Sequence, residues 1–198
     1  MGFTFITPPD NLPSLAQADH ARYVQRIRRR YAAECEAYAQ QAPGAPDSAS
    51  IGALIDRLQA EGRPLLSALR VARQLVMERL ATLDTEQSLP MVEVTRAMTQ
   101  LAEVTLDRAL ADAESELDQR YGAPLNEQGQ RVDMWVVGMG KLGGRELNVS
   151  SDIDLIYVYE DDGHTAGVDD GRGGRSGQIT VHEYFSHAAK KLSTLIGD

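Results

Sequence analysis

A chain of 198 residues with 42% hydrophobic content can bury a sizeable core, as one domain or as a domain with a helical extension. Its 29 acidic side chains against 20 Lys and Arg leave a formal charge of -9, which argues against a broad phosphate-backbone footprint and so against nucleic-acid binding. The lone Cys35 rules out an internal disulfide and gives no structural zinc pattern, and no apolar run of about 18 residues is present to cross a membrane.

The opening MGFTFITPPDNLPS lacks the basic start and apolar centre of a secretion signal, and Ile6 stands where a myristoylation motif needs Ser or Thr. A cytoplasmic protein is therefore expected. The first part of the chain reads as helices separated by breakers. Tyr23, Ile27, Tyr31 and Tyr38 recur at helical spacing within 14–41, before Pro43-Gly44-Ala45-Pro46 ends the run. A second helix is predicted to start near Ser50. Gly62 and Pro64 mark the next start, after which Leu65, Leu69, Ala72, Val76, Leu80 and Leu83 form one apolar stripe. From Pro90 to Tyr121 the series Met91, Val94, Met98, Leu101, Leu106, Leu110, Ala113 and Leu117 predicts a helix roughly 45 Å long, at about 1.5 Å per residue. Gly122-Ala123-Pro124 stops it. A packed bundle accounts for these helices better than any cofactor site built on their Met and Tyr residues. The run Arg26, Arg28, Arg29, Arg30 reads as a solvated face folding back on nearby acids, with partner contact as the lesser alternative.

After Arg131 the pattern changes. Residues 132–137 and 153–159 are short runs rich in β-branched and aromatic residues, which predicts two neighbouring strands. Residues 161–180, rich in Gly and Asp, read as a long mobile loop, and 181–196 returns to helix.

The chemistry is concentrated between the two strands. Asp152 and Asp154 are two apart at the head of a strand, so both side chains project to one face while Ile153 and Leu155 take the other. At about 3.3 Å per residue their Cβ atoms lie roughly 6 to 7 Å apart, and a hard cation such as Mg2+ fits between such carboxylates. Upstream, Gly138-Met139-Gly140-Lys141-Leu142-Gly143-Gly144 follows the first strand; the missing Cβ atoms let backbone N–H groups approach a phosphate, and Lys141 adds a point charge. An isolated Asp-x-Asp would usually be no more than a solvated strand end.

Strand, glycine turn, short helix and Asp-x-Asp on the next strand resemble the layout of nucleotidyltransferases related to DNA polymerase β. The words GMGKLGGRELNVSSDIDLIYVY are similar to the signature of the glutamine synthetase adenylyltransferase/adenylyl-removing family, including Glu146, Asn148 and both serines. The resemblance implies an α+β fold that is mostly α overall: a helical region over 1–124, then the start of a polymerase-β-like domain, a small sheet flanked by helices, over 125–198. It implies a bifunctional enzyme of nitrogen metabolism whose two domains remove and attach AMP on a tyrosine of glutamine synthetase. A motif that comes after a long helical lead-in matches the first copy, the adenylyl-removing, ADP-forming one. In that reading Asp152 and Asp154 hold Mg2+ or Mn2+, and Gly140, Lys141, Gly143 and Gly144 cradle the phosphates of ATP, ADP or inorganic phosphate. Ser150 or Ser151 positions the carboxylates or binds a phosphate oxygen. Glutamine synthetase and a PII-type signal protein are the partners implied.

Two departures bear on it. Gly140-Lys141 stands where the wider superfamily often has Gly-Ser or Gly-Gly, so no hydroxyl reaches the phosphate from that place. The superfamily also uses a third carboxylate on a later strand, which these residues do not supply, so the expectation is a fragment with little or no activity alone. The alternatives are a non-catalytic helical module docking glutamine synthetase or a PII-type regulator, and a nucleotidyltransferase with another substrate. Gly138 to Gly143 also fits the dinucleotide fingerprint G-x-G-x-x-G, with Glu160 or Asp161 near the ribose position, but only eight residues separate it from the next strand's aspartates, too few for a crossover helix. His182 and His187 are five apart, not four, and so face different ways on a helix rather than sharing a zinc ion.

Overall fold

The computed structural model describes residues 21–169, 171 and 173–197, so the expectations on residues 1–20, including the helix start at 14, lie outside the described residues. Where the sequence predicts one helix up to Gln41, the structure has two, α1 (Arg22–Arg30) and α2 (Ala32–Gln41), joined at Tyr31 with φ -132° and ψ 41°. The spacing alone fits a continuous helix, but tertiary packing overrides it. The break at Tyr31 lets Val24 and Ile27 on one segment and Tyr38 on the other all become buried, with both segments against α4 (Leu65–Gln87). Tyr23, counted in the predicted stripe, is left 39% exposed. Arg28 folds back as expected, pairing with Glu78 at 2.7 Å and donating to the Thr82 hydroxyl.

Helix α3 (Ser48–Ala60) starts two residues earlier than predicted because Asp47 caps it: its carboxylate accepts from the Ser50 N–H at 2.8 Å, and the Ser50 hydroxyl accepts from the Asp47 N–H at 2.9 Å. Ile51, Leu54, Ile55 and Leu58 come next on one face, each 0% exposed, and burial of such a side chain stabilises by about 1.5–3 kcal/mol. On α4 the predicted stripe is buried from Leu69 to Leu83, widened by Ala68, Val71 and Leu75. The long helix α5 (Met91–Tyr121) has the predicted bounds. Its first half, with Val94, Met98 and Leu101, belongs to the core shared with α3 and α4; its second half, with Ala113 and Leu117, belongs to a core shared with α7 (Val181–Ile196) and the strands.

Beyond α5 the chain turns to strands. β1 (Pro124–Asn126) pairs antiparallel with β4 (Gly163–Thr165), and β2 (Met134–Gly138) with β3 (Leu155–Tyr159), in register from Met134 opposite Tyr159 to Gly138 opposite Leu155. The turn after β2 holds α6 (Gly140–Gly143). Two further strands, β5 (Val168–Asp169) and β6 (Arg175–Ser176), form a small hairpin. The stretch 161–180 thus contains short strands, and it is tied to the end of α5 by Ala166 N–H to Ala123 O and Gly167 N–H to Tyr121 O, both 2.8 Å. Gly122 makes this approach possible: its φ is +75°, and a Cβ there would lie 2.4 Å from the Gly167 carbonyl oxygen. The fold is α+β and mostly helical, as the sequence implied.

Candidate functional site

Along 151–159 exposure alternates: Ser151, Ile153, Leu155, Tyr157 and Tyr159 are half-buried toward the helices, whereas Asp152, Asp154, Ile156 and Val158 are exposed. The two aspartates therefore share the open face, as their spacing predicts. They lie in the extended lead-in to β3 rather than inside it, yet the ladder continues past the strand end, since the Met139 N–H donates to the Asp154 carbonyl at 2.9 Å. That bond places Asp154 directly across from the glycine turn. Trp135, Val137, Met139, Ile156 and Val158 are all exposed, and Trp135 faces Val158 and Val137 faces Ile156 across the ladder, so an apolar surface runs on from the aspartates along the same face.

The glycines of the turn divide into two kinds. Gly140 has φ +54° and open space where a Cβ would stand, which suits a backbone approached by a ligand; Gly144 also has room for ordinary contact. Gly138 and Gly143 are needed by the fold itself: a Cβ on Gly138 would lie 2.7 Å from the Leu142 side chain, and one on Gly143 would lie 2.4 Å from the Gly138 carbonyl. Lys141 reaches across to Ser151, its ammonium donating to the hydroxyl at 3.5 Å, and Ser150 is exposed in the preceding turn. The predicted residues are thus brought to one end of the β2–β3 pair.

Beyond α6 the chain closes a Schellman turn. Arg145 N–H donates to Leu142 O at 3.0 Å and Glu146 N–H to Lys141 O at 2.8 Å, with Arg145 left-handed at φ +58° where glycine is usual. Two α5 residues anchor the chain leaving this turn: the Thr99 hydroxyl accepts from the Leu147 N–H at 3.3 Å, and Glu103 pairs with Arg145 at 3.0 Å. Neither was legible in the sequence, since they lie more than 40 positions upstream on α5. A cavity of about 630 Å³ lies between α4, α5, the end of α7 and residues 151–155; Asp152 and Asp154 line it together with Arg70 and Arg73, while Ile153 and Leu155 pack partly against the core.

The rival sites do not form. β2 and β3 are antiparallel and α6 has four residues, so the G-x-G-x-x-G match is not part of a parallel β-α-β unit. His182 Nδ1 lies 3.0 Å from the Tyr159 hydroxyl, while the His187 ring stacks on Tyr121 at 5.9 Å, so each histidine has its own aromatic partner. Among the described residues no group of three or more His, Cys, Asp or Glu side chains gathers to hold a metal. Asp152 and Asp154 form an exposed pair of hard oxygen donors, the donor type that suits Mg2+ or Mn2+.

Fold and site together define a mostly helical α+β protein that presents two carboxylates beside a glycine turn, on the open face of an antiparallel strand pair. Residues 16–196 match the model of the glutamate-ammonia ligase adenylyltransferase family, and the chain belongs to that family. It is similar to the bifunctional glutamine synthetase adenylyltransferase/adenylyl-removing enzyme of Burkholderia pseudomallei, with 41% identity over 190 residues, 93% of this chain and 20% of that protein. The enzyme of the same name from Ralstonia nicotianae is 39% identical over 186 residues, 91% of this chain and 19% of that protein. For Chromobacterium violaceum the identity is 44% over 135 residues, 68% of this chain and 14% of that protein. The chain spans about a fifth of the length of the first two relatives. Among the described residues no helix is long and apolar enough to cross a membrane.

Proposed function

We propose that this chain carries a metal-dependent nucleotidyl-transfer site acting on glutamine synthetase, in its adenylyl-removing form. An oxygen of inorganic phosphate forms a bond to the α-phosphorus of the AMP group, the bond from phosphorus to the tyrosine oxygen breaks, and ADP leaves with the tyrosine hydroxyl restored. The observation that carries the reading is the shared exposed face of Asp152 and Asp154, with Asp154 bonded through its backbone to the glycine turn at Met139. Family membership and relatives named for both activities support it. The choice of the removing half follows the resemblance, in which a motif that comes after a long helical lead-in matches the first copy.

Asp152 and Asp154 would hold Mg2+ or Mn2+, which would neutralise charge at the phosphorus. Gly140 offers open backbone to the phosphates, and Gly143 and Gly144 complete the turn around them. Lys141 brings a cation to the same oxygens, and Ser151, held by Lys141, or Ser150 orients the carboxylates. A PII-type signal protein as regulator and a cytoplasmic setting belong to the same proposal. The described residues bring two carboxylates to this site, so the 198 residues alone are expected to show little turnover; robust ADP formation by them would overturn that expectation.

The test is made in a full-length relative carrying this segment. Asn is placed at the positions of Asp152 and Asp154, and phosphate-dependent ADP release from adenylylated glutamine synthetase is followed beside AMP attachment from ATP. Loss of the first with retention of the second supports the removing assignment; loss of attachment alone reverses it. If neither activity changes, the catalytic reading gives way to a docking module.

A further inference from the structure

We infer that Thr99 and Glu103 on α5 are positioning residues that set the geometry of the Asp152–Asp154 segment; the inference rests on the catalytic reading of those aspartates. The segment from Arg145 to Asp154 is the only chain between α6 and β3, and its anchoring is uneven. Leu142 and Leu147 are buried against the α4–α5 core and Ile153 and Leu155 pack partly against it, while Asp152 and Asp154 line the cavity beside them. Polar contacts add to this apolar anchoring and come from a single helix face, because Thr99 and Glu103 are four apart. Thr99 is 1% exposed; its hydroxyl donates to the Thr95 carbonyl at 2.9 Å, which aims a lone pair at the Leu147 N–H. Arg145 is left-handed because it closes the Schellman turn, and its exposed ion pair with Glu103 ties that turn to α5, a contact that a glycine in that place could not make. From Leu147 the chain runs through Asn148, whose carbonyl accepts from the Ser151 N–H at 3.1 Å, straight into Asp152. The far end is fixed by the Met139 bond to Asp154. The aspartates sit on a short span pinned at one end by α5 and at the other by β2.

The experiment uses the 198-residue chain labelled with nitrogen-15. Thr99→Val keeps the shape and removes the acceptor; Thr99→Ser keeps the acceptor; Glu103→Arg breaks the ion pair, and adding Arg145→Glu restores it with reversed sign. Amide resonances of Ser151 to Asp154 are compared, and Mn2+ affinity is titrated beside an Asp152→Asn control, all on variants whose thermal melts show them folded. Expected are displaced Asp152 and Asp154 resonances in Thr99→Val and Glu103→Arg, return toward wild type in Thr99→Ser and in the charge-reversed pair, and Mn2+ affinity weakened roughly 10-fold, the scale at which supporting contacts act on metal ligands. If the displacement stops at Leu147 and never reaches Asp152, or the reversed pair fails to restore it, the inference is overturned. Should Asp152→Asn leave Mn2+ affinity unchanged, the metal-site reading falls instead, and the amide shifts still decide whether α5 positions the segment.

Discussion

Gly143 lies so close to Gly138 that a Cβ on it would stand 2.4 Å from the Gly138 carbonyl oxygen. Backbone cannot swing aside as a flexible side chain can, so Gly143→Ala must push α6 off the end of β2. A loss of about 3 kcal/mol is expected, the upper end of the usual overpacking range. Gly140→Ala meets open space and carries only the left-handed strain of φ +54°, about 1 kcal/mol. Urea denaturation of the two variants checks the order; equal losses would contradict the division of the turn into packing and open glycines.

The Tyr184 ring is 0% exposed, and its hydroxyl donates to the Asp118 carboxylate at 2.6 Å. Arg131 also pairs with Asp118 at 2.7 Å, so Tyr184→Phe leaves that carboxylate with a partner and is expected to cost about 1 to 1.5 kcal/mol. Burial, then the bond to Asp118, raises the phenol above its ordinary 10.0. A raised pKa gives stability that is whole below 10.0 and is lost as pH climbs toward the folded value. The gap between wild type and Tyr184→Phe should hold from about pH 6 to 9 and narrow above that; a gap that widens in alkali would refute it.

Asp47 works in the opposite direction. The Ser50 N–H and hydroxyl hold its carboxyl below the ordinary 3.8. Its capping contribution is therefore complete above 3.8 and disappears as pH falls through the lowered value. Asp47→Ala should destabilise by about 1 kcal/mol at neutral pH, with the difference vanishing in acid. Thermal melts at the two pH values measure both.

Cys35 is half-buried, and burial followed by the charge of Glu78 pushes its thiol up to about 11 from an ordinary 9.0. At pH 8 its thiolate fraction is roughly 100-fold below that of an ordinary cysteine, partly offset by the greater nucleophilicity of a more basic thiolate, so iodoacetamide labelling should be about 10-fold slower. Labelling at the rate of free cysteine would show that the α2–α4 contact opens readily.

The parts of this fold that were legible in the sequence are those written in side-chain periodicity. The α4 stripe, the bounds of α5, and the shared face of Asp152 and Asp154 all derive from repeats of about 3.6 or 2 residues. Tyr31 shows the limit: its spacing continues the helix, while the break there serves contacts with α4 made over 30 residues later. The stretch 161–180 is docked by backbone bonds from Ala166 to Ala123 and from Gly167 to Tyr121, with Gly122 making room for them, and no hydrophobic pattern records these. Thr99 and Glu103 were hidden for a similar reason, since a polar residue on a helix gives no sign of the loop it will meet. The glycines of 138–144 were recognised, but only coordinates separate those that make room for a ligand from those that make room for α6.

Trp135 is the chain's sole tryptophan, and it is half exposed on the same face as Asp154. Four residue steps along the chain lead from it to Met139, roughly 13 Å at about 3.3 Å per residue. The protein thus carries one built-in fluorophore beside its carboxylate pair. Its emission colour reads the polarity of that face, and a fluorescent nucleotide settling at the glycine turn would accept its excitation energy. Occupancy of this surface can be followed optically without attaching a dye to the chain.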